Sequence, residues 1–473
     1  FTKSFQQADS KWNKAQEKID IKGDADTNTI FYTSFYHTMF APSIFNDANG
    51  DYRGSDKKVY KNAGFVNYTT FSLWDTYRAL HPLYTITQED KINDIIKTFL
   101  AIYQQQGRLP VWHLMGNETD CMNGNHSIAV IVDAYFKGYR NYDVELAFEA
   151  IKKTAMQTRA GMDYVQQLQY IPADSQLESV ANAMEYAIDD WCIARMAKDL
   201  NKQEDYAYFT KRANLYKEYF DKNTGFMRGK LKNGQWREPF NPLSSAHRKD
   251  DYVEGNAWQY TWLVPQDPYG LIELFGGDTK FIEKFDQLFL INEKVEGEEA
   301  SPDISGLIGQ YAQGNEPSHH IPYLYAYVGQ PWKTAEIVRE VFDKFYTNKP
   351  DGICGNEDVG QMSAWYVLSS MGFYAVNPAN GIYVMGSPAV DEATIHYKST
   401  ISFKMVAVNN SKKNKYIQNA EYNGVPYTKS FITHDMILKG GELKLFMGSK
   451  PSATFGVKKE KAEEEGEEEM SVI

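Results

Sequence analysis

Two segments of this chain carry carboxylates in settings suited to proton transfer. In Asp251-Tyr252-Val253-Glu254-Gly255-Asn256-Ala257-Trp258-Gln259-Tyr260, Glu254 stands directly before Gly-Asn and beside aromatic residues. Burial there would disfavour its charged form and raise its pKa, which a general acid at neutral pH requires. A helix N-terminal glutamate held by free amides is the competing reading. In Asp351-Gly352-Ile353-Cys354-Gly355-Asn356-Glu357-Asp358-Val359-Gly360-Gln361, Glu357 and Asp358 sit in a glycine-flanked turn before a helix expected over residues 362–371. They could hold a water for attack, or form the acidic first turn of that helix. The ligand spacing of an EF-hand is missing.

Other polar clusters fall between apolar stretches. Gly314-Asn315-Glu316-Pro317-Ser318-His319-His320 brings amide, carboxylate and imidazoles together. Adjacent histidines on a helix point about 100° apart and lack HExxH spacing, so zinc is disfavoured. The oxygens of Asn315 and Glu316 suit Ca²⁺ better, with a structural cap as the alternative. Ser72-Leu73-Trp74-Asp75-Thr76-Tyr77-Arg78 offers an indole, a carboxylate and a guanidinium that could grip vicinal hydroxyls and stack on a ring. It equally fits a helix start with Asp75 on the dipole and Arg78 paired to it. Glu185, Asp189 and Asp190 share one expected helix. The first two are i, i+4 neighbours and are read as structural, needing a partner such as Arg195 or a neighbouring helix.

The elements that must position these groups are mostly helical. Apolar residues recur at three- and four-residue spacing over residues 91–106, 127–138, 144–168, 177–200, 204–220 and 332–345. Turn signals such as Asn223-Thr224-Gly225 and Lys349-Pro350-Asp351-Gly352 separate them. The texture changes near Gly386 to short alternating runs such as Ile401-Ser402-Phe403-Lys404-Met405. This β-rich tail, residues 386–457, is too small for an independent sandwich and needs a partner surface. Residues 458–473, rich in glutamate, are expected to be an acidic disordered tail. Many helices before one β segment suggest a mainly α fold, an α/α toroid whose inter-helix loops surround a pocket.

Composition narrows the partners. The chain has 473 residues and a net charge of −12, so a nucleic-acid or membrane-surface binder is disfavoured. No run approaches the ~18–20 apolar residues of a membrane span. Three cysteines without CxxC spacing indicate neither a disulfide framework nor a zinc site. The 33 Tyr, 26 Phe and 9 Trp suit sugar rings, whose apolar faces stack on aromatics, although large helical cores also use such residues. The chain starts at Phe1 with no signal-like segment, so it is expected to be a mature product or a fragment.

Six blocks in order resemble the family 92 glycoside hydrolases, calcium-dependent exo-α-mannosidases. They are Trp74-Asp75-Thr76-Tyr77-Arg78; Gly107-Arg108-Leu109-Pro110 with Trp112; Glu185-Tyr186-Ala187-Ile188-Asp189-Asp190-Trp191; Glu254-Gly255-Asn256-Ala257-Trp258-Gln259-Tyr260; the block from Gly314 through His319-His320 to Tyr323; and the block from Gly355 through Asp358 to Tyr366. The resemblance implies an (α/α)6 catalytic barrel over residues 29–385, preceded by a linker helix over residues 1–28. It implies inversion at the anomeric carbon, Ca²⁺ near O2 and O3 of the terminal mannose, and α-mannoside glycans as partners. Glu254 would be the general acid and Asp358 the general base, an arrangement that needs two carboxyls about 6.5–9.5 Å apart. Trp74, Asp75 and Arg78 would hold the −1 sugar, with Trp258, His319, His320 and Gln361 in the same pocket. Asn315, Glu316 and Asp303 are the candidate calcium ligands.

Three departures qualify the resemblance. Family members often carry an Asp two residues before the base, where this chain has Asn356. The His-Glu pair of α-1,2-specific members aligns with Glu298-Glu299, which argues against that linkage while leaving Glu299 a candidate +1 contact. The family's N-terminal β-sandwich domain is absent from this chain, so the tail 386–457 is expected to pack on it and apolar surface to be exposed. Export from a bacterial cell follows from the family alone. The competing readings are a non-catalytic sugar-binding toroid and an inverting (α/α)6 hydrolase of another sugar.

Overall fold

A computed structural model describes residues 2–297, 299–398 and 400–458. From residue 459 onward the expected acidic tail lies outside them, as does Glu298. Lys458, assigned to that tail, is described and contacts Asp278 at 3.0 Å.

Helices dominate as far as residue 370. The amphipathic stretches become the helices Ile92–Gln106, Ser127–Phe136, Val144–Ala155, Ser179–Asp199, Gln203–Ala213, Asp278–Leu290 and Pro331–Phe345. Local chemistry sets their ends. The Asp143 carboxylate accepts from Leu146 N at 2.9 Å and caps Val144–Ala155, while Gly107 closes Ile92–Gln106 in the left-handed conformation. The single helix expected over residues 144–168 is broken, with a second helix, Met162–Leu168, starting after Gly161. Gly161 has φ +84°, and a Cβ there would stand 2.8 Å from the Ile171 side chain. The helix Ser179–Asp199 is buried almost all round and touches Ser127–Phe136, Val144–Ala155 and Gln203–Ala213. Its acids therefore face protein on every side and must find partners there.

The C-terminal sheet has six strands in the order Ile19–Lys22, Glu392–Tyr397, Ile401–Val408, Gly441–Gly448, Tyr416–Tyr422, Val425–Tyr427. Ile401–Val408 and Gly441–Gly448 run parallel, and the other neighbours are antiparallel. Ala393, Ile395, Phe403, Met405, Leu443 and Leu445 point to one face and join the same continuous apolar core as the helices. Glu392 pairs with Lys22 and Lys404 on the other face. The partner surface that the tail requires is thus supplied by helices of this chain: Tyr416 Oη donates to Glu336 of Pro331–Phe345 at 2.6 Å.

Two boundaries differ from the sequence reading. Residues 1–28 are not one linker helix. The helix Thr2–Gln16 is followed by strand Ile19–Lys22, whose Ile19 opposes Ile395, and then by a helix that begins at Ala25. Nor does Gly386 divide the chain cleanly, because Ile382–Met385 pairs with both Phe373–Tyr374 and Phe431–Thr433. Phe40, Ile44, Val59 and Met115 are among the apolar side chains left exposed.

Candidate active site

Glu254 ends a loop and does not cap a helix. That role belongs to Asn256, whose side chain accepts from Trp258 N and Gln259 N while Gln259 Oε1 accepts from Asn256 N at 2.8 Å. Glu254 itself has φ +49°, a conformation costly for a residue with a Cβ. Asn315 Nδ2 donates to Glu254 O at 2.8 Å and reaches Oε2 at 3.5 Å. Burial, followed by the charges of Asp303 and Asp358, pushes the Glu254 carboxyl up to about 7.

Asp358 belongs to a second carboxylate group. Asp75, Glu316 and Asp358 each offer an oxygen within 4.8 Å of the others. Asp75 and Glu316 are buried, while Asp358 is half-buried. Burial raises all three pKa values, and repulsion inside the group adds to it for Asp75 and Glu316. Ser72 Oγ donates to Asp75, but among the described residues no hydrogen-bond donor outside the carboxylate group reaches the buried Glu316 Oε1. Three hard oxygens, mutual repulsion and an orphaned buried acceptor together fit a divalent cation such as Ca²⁺.

Behind this group lies a buried ion network. Trp74 Nε1 donates to Glu185 Oε1 at 2.8 Å, and Arg78 Nη2 donates to the same oxygen at 3.2 Å. His126 Nε2 lies 3.0 Å from Glu185 Oε2, and His126 Nδ1 donates to Asp189 Oδ1 at 3.0 Å. Burial opposes the charge on His126, but Asp189 and Glu185 outweigh it and push its pKa up to about 9. Glu185 and Asp189 thus find their partners on neighbouring segments. Asp190 pairs with Arg212 at 2.8 Å, and Arg195 donates instead to Ala379 O. The sequence singled out Glu185 only as a structural acid and did not single out His126. Only the fold brings residues 74, 126 and 185 together.

Several residues expected in the pocket have their polar groups committed elsewhere. His319 Nε2 donates to Gln313 O at 3.1 Å, and its Nδ1 accepts from Gln361 Nε2 at 3.0 Å. Burial holds this neutral imidazole down to about 3. Gln361 Oε1 accepts from Ala79 N and Leu80 N, both at 3.1 Å. His320 Nε2 donates to Trp262 O at 2.8 Å. The Trp258 ring is buried edge-on against Phe226 with Lys284 over its face, so stacking on a sugar is closed to it. Trp74 is likewise 1% exposed, its indole N–H held by Glu185. Glu299 is half-exposed and paired with Lys249 at 2.6 Å.

Of the three residues expected from the sequence as calcium ligands, two make other contacts. Asn315 is spent between Glu254 and Glu316, its Oδ1 accepting from Glu316 N at 3.1 Å. Asp303 accepts from Asn356 Nδ2 at 3.1 Å and from Ser301 Oγ at 2.7 Å. Only Glu316 of the three joins the carboxylate group, and Asp75, expected on the sugar, takes its place beside it. Glu357 accepts from Ser363 N and Oγ at 3.2 and 2.7 Å, which ties it to the first turn of the helix Gln361–Ser370.

The model of the glycosyl hydrolase family 92 catalytic domain matches residues 1–449. A family GH92 α-mannosidase from Bacteroides thetaiotaomicron, solved in complex with mannoimidazole, is 41% identical, with a TM-score of 0.92 over 96% of this chain and 60% of that one. A family GH92 inverting mannosidase from the same bacterium is 34% identical, with a TM-score of 0.87 over 96% of this chain and 63% of that one. A curated relative from Arthroderma benhamiae, an uncharacterized secreted glycosidase, is 26% identical over 96% of this chain and 57% of its own length. The chain therefore spans about three fifths of the length of these relatives. With a match running almost from end to end, this chain belongs to glycosyl hydrolase family 92.

Proposed function

We propose that the chain is the catalytic part of an inverting exo-α-mannosidase, an (α/α)6 toroid that releases terminal mannose from glycans. One observation supports the reading: Glu254, its pKa pushed up to about 7 by burial and by charges that include Asp358, is joined through Asn315 to Glu316, a neighbour of Asp358 in the carboxylate group. Glu254 gives its proton to the glycosidic oxygen as the bond to the anomeric carbon breaks. Asp358, ionised, takes a proton from the water that attacks that carbon on the opposite face, so the mannose leaves with inverted configuration.

Asp75 and Glu316, the two buried members of the group, would hold Ca²⁺, which leaves Asp358 for the water. When bound, the cation supplies positive charge that offsets the carboxylates and attracts vicinal hydroxyls. Arg78, fixed by Glu185 and by Trp74 O at 3.1 Å, keeps a cationic wall behind Glu316. The substrates are α-mannosides of glycoproteins or polysaccharides, and the protein acts outside the cell, as the name of its secreted fungal relative suggests. A further β-sandwich domain of the same protein would complete the pocket.

The test is release of mannose from an aryl α-mannoside and from linked mannobioses by full-length, Ca²⁺-replete protein, with an EDTA-treated control. Turnover lost with EDTA is the expected result. No release from any linkage refutes the reading.

A further inference from the structure

The backbone that carries Asp358 is strained. Asp358, Val359 and Gly360 have φ values of 46°, 51° and 100°, three left-handed residues in succession, two of them with a Cβ. Such a turn persists only when its surroundings over-determine it. Glu357 ties the C-terminal side to Ser363. Gly355, on the N-terminal side, lies so close to the loop bearing Asn315 and Glu316 that a Cβ would come within 2.7 Å of Gly314 O. Between these anchors the Asn356 side chain reaches out of the turn to Asp303 Oδ1 at 3.1 Å. Asp303 is itself fixed, because Ser301 Oγ donates to its Oδ2 at 2.7 Å and Ser301 is buried.

We propose that Asp303, acting through Asn356, is a positioning residue that clamps the strained turn of Asp358 opposite Glu254. The assignment rests on the mannosidase reading and deepens it. Asp303 touches neither substrate nor water in this scheme. It joins the loop of residues 301–303 to the loop of residues 355–358, so the direction of the Asp358 carboxylate depends on a contact two residues away. The clamp also lies beside both working carboxyls, since the Asp303 charge raises Glu254 and Asp358 alike. Asp303 stands outside the carboxylate group of Asp75, Glu316 and Asp358, and its two oxygens accept from Asn356 and Ser301.

The experiment compares Asp303→Ala, Asn356→Ala, the double variant and Asp303→Asn in the full-length protein with saturating Ca²⁺. kcat and KM on an aryl α-mannoside are read at the pH optimum of each variant, together with the unfolding temperature. A shift of an attacking group by about an ångström costs about a hundredfold, so each alanine variant should lose about ten- to a hundredfold in kcat, with KM within about twofold. The double variant should be no slower than Asp303→Ala, because both changes break one clamp. Asp303→Asn keeps the acceptor oxygen and should retain at least about a third of wild-type kcat. Asn356 is exposed, so its alanine variant leaves the core intact. Losses that multiply, a change confined to KM, a kcat fall explained by the unfolded fraction, or no rescue by Asp303→Asn would each overturn the proposal. An inactive wild type would instead refute the mannosidase reading on which it stands.

Discussion

Glu254→Gln removes one proton and leaves the shape of the side chain, so its effect can be worked from the surroundings of the carboxyl. At pH 7 a group titrating at about 7 is about half protonated, whereas one left at the ordinary 4.5 would be about 0.3% protonated. Burial and the two neighbouring carboxylates therefore multiply the working form of the acid about 150-fold. The proton must be present for the leaving group to depart, so kcat/KM should fall about tenfold per unit as pH rises above about 7. Asp358 must be ionised, and its raised pKa puts the acid-side fall above the usual aspartate range. In Glu254→Gln the alkaline fall should vanish. On a mannobiose, whose leaving alcohol needs protonation, the rate should drop about 10²–10⁴-fold, but on a dinitrophenyl mannoside by less than about tenfold. Steady-state pH–rate profiles on the two substrates read both effects. Equal losses on both, or an alkaline fall that survives the substitution, would refute the assignment.

Asp358→Asn should abolish turnover while a mannose-shaped inhibitor still binds, as calorimetry would reveal; retained turnover would move the base elsewhere. EDTA should lower both activity and unfolding temperature, and Ca²⁺ should restore both, since a cation relieves the repulsion among Asp75, Glu316 and Asp358; an unfolding temperature indifferent to Ca²⁺ would argue against this group as its site. Glu185→Leu should cost about 3–5 kcal/mol in urea unfolding, because it strands Arg78 and His126 in the core; a change under about 1 kcal/mol would mean the network is not held by charge.

What could be read from the sequence follows from the range of the interactions involved. Ile92–Gln106 and Pro331–Phe345 bury one face, so their periodicity is written locally. Strand pairs such as Tyr52–Arg53 with Val59–Tyr60 are only two residues long and leave no alternation to detect. The central helix Ser179–Asp199 has no polar face, and its Glu185 and Asp189 acquire meaning only from Trp74, Arg78 and His126, 59 to 111 positions away in the chain. Glu254 is conspicuous as a carboxylate beside glycine and aromatics, whereas Glu357 and Asp358 share one glycine-flanked turn and only the family resemblance separates them. His319 and Gln361 were conspicuous for their chemistry too, yet burial turned it inward: their polar atoms satisfy each other and the amides of Ala79 and Leu80. Locally, Asp75 suits either a grip on sugar hydroxyls or a pair with Arg78, whereas in the fold Arg78 turns to Glu185 and Asp75 groups with Glu316 and Asp358.

In the proposed mechanism Glu254 and Asp358 flank the bond that breaks. The decisive experiment is a crystal structure of the Ca²⁺-bound, full-length protein with a planar, mannose-configured transition-state mimic. Glu254 should lie within hydrogen-bond reach of the atom standing in for the glycosidic oxygen, and Asp358 on the opposite face, bonded to one water aligned with the anomeric carbon. A sugar ring bound with some other carboxyl in either position, or bound away from both residues, would contradict it.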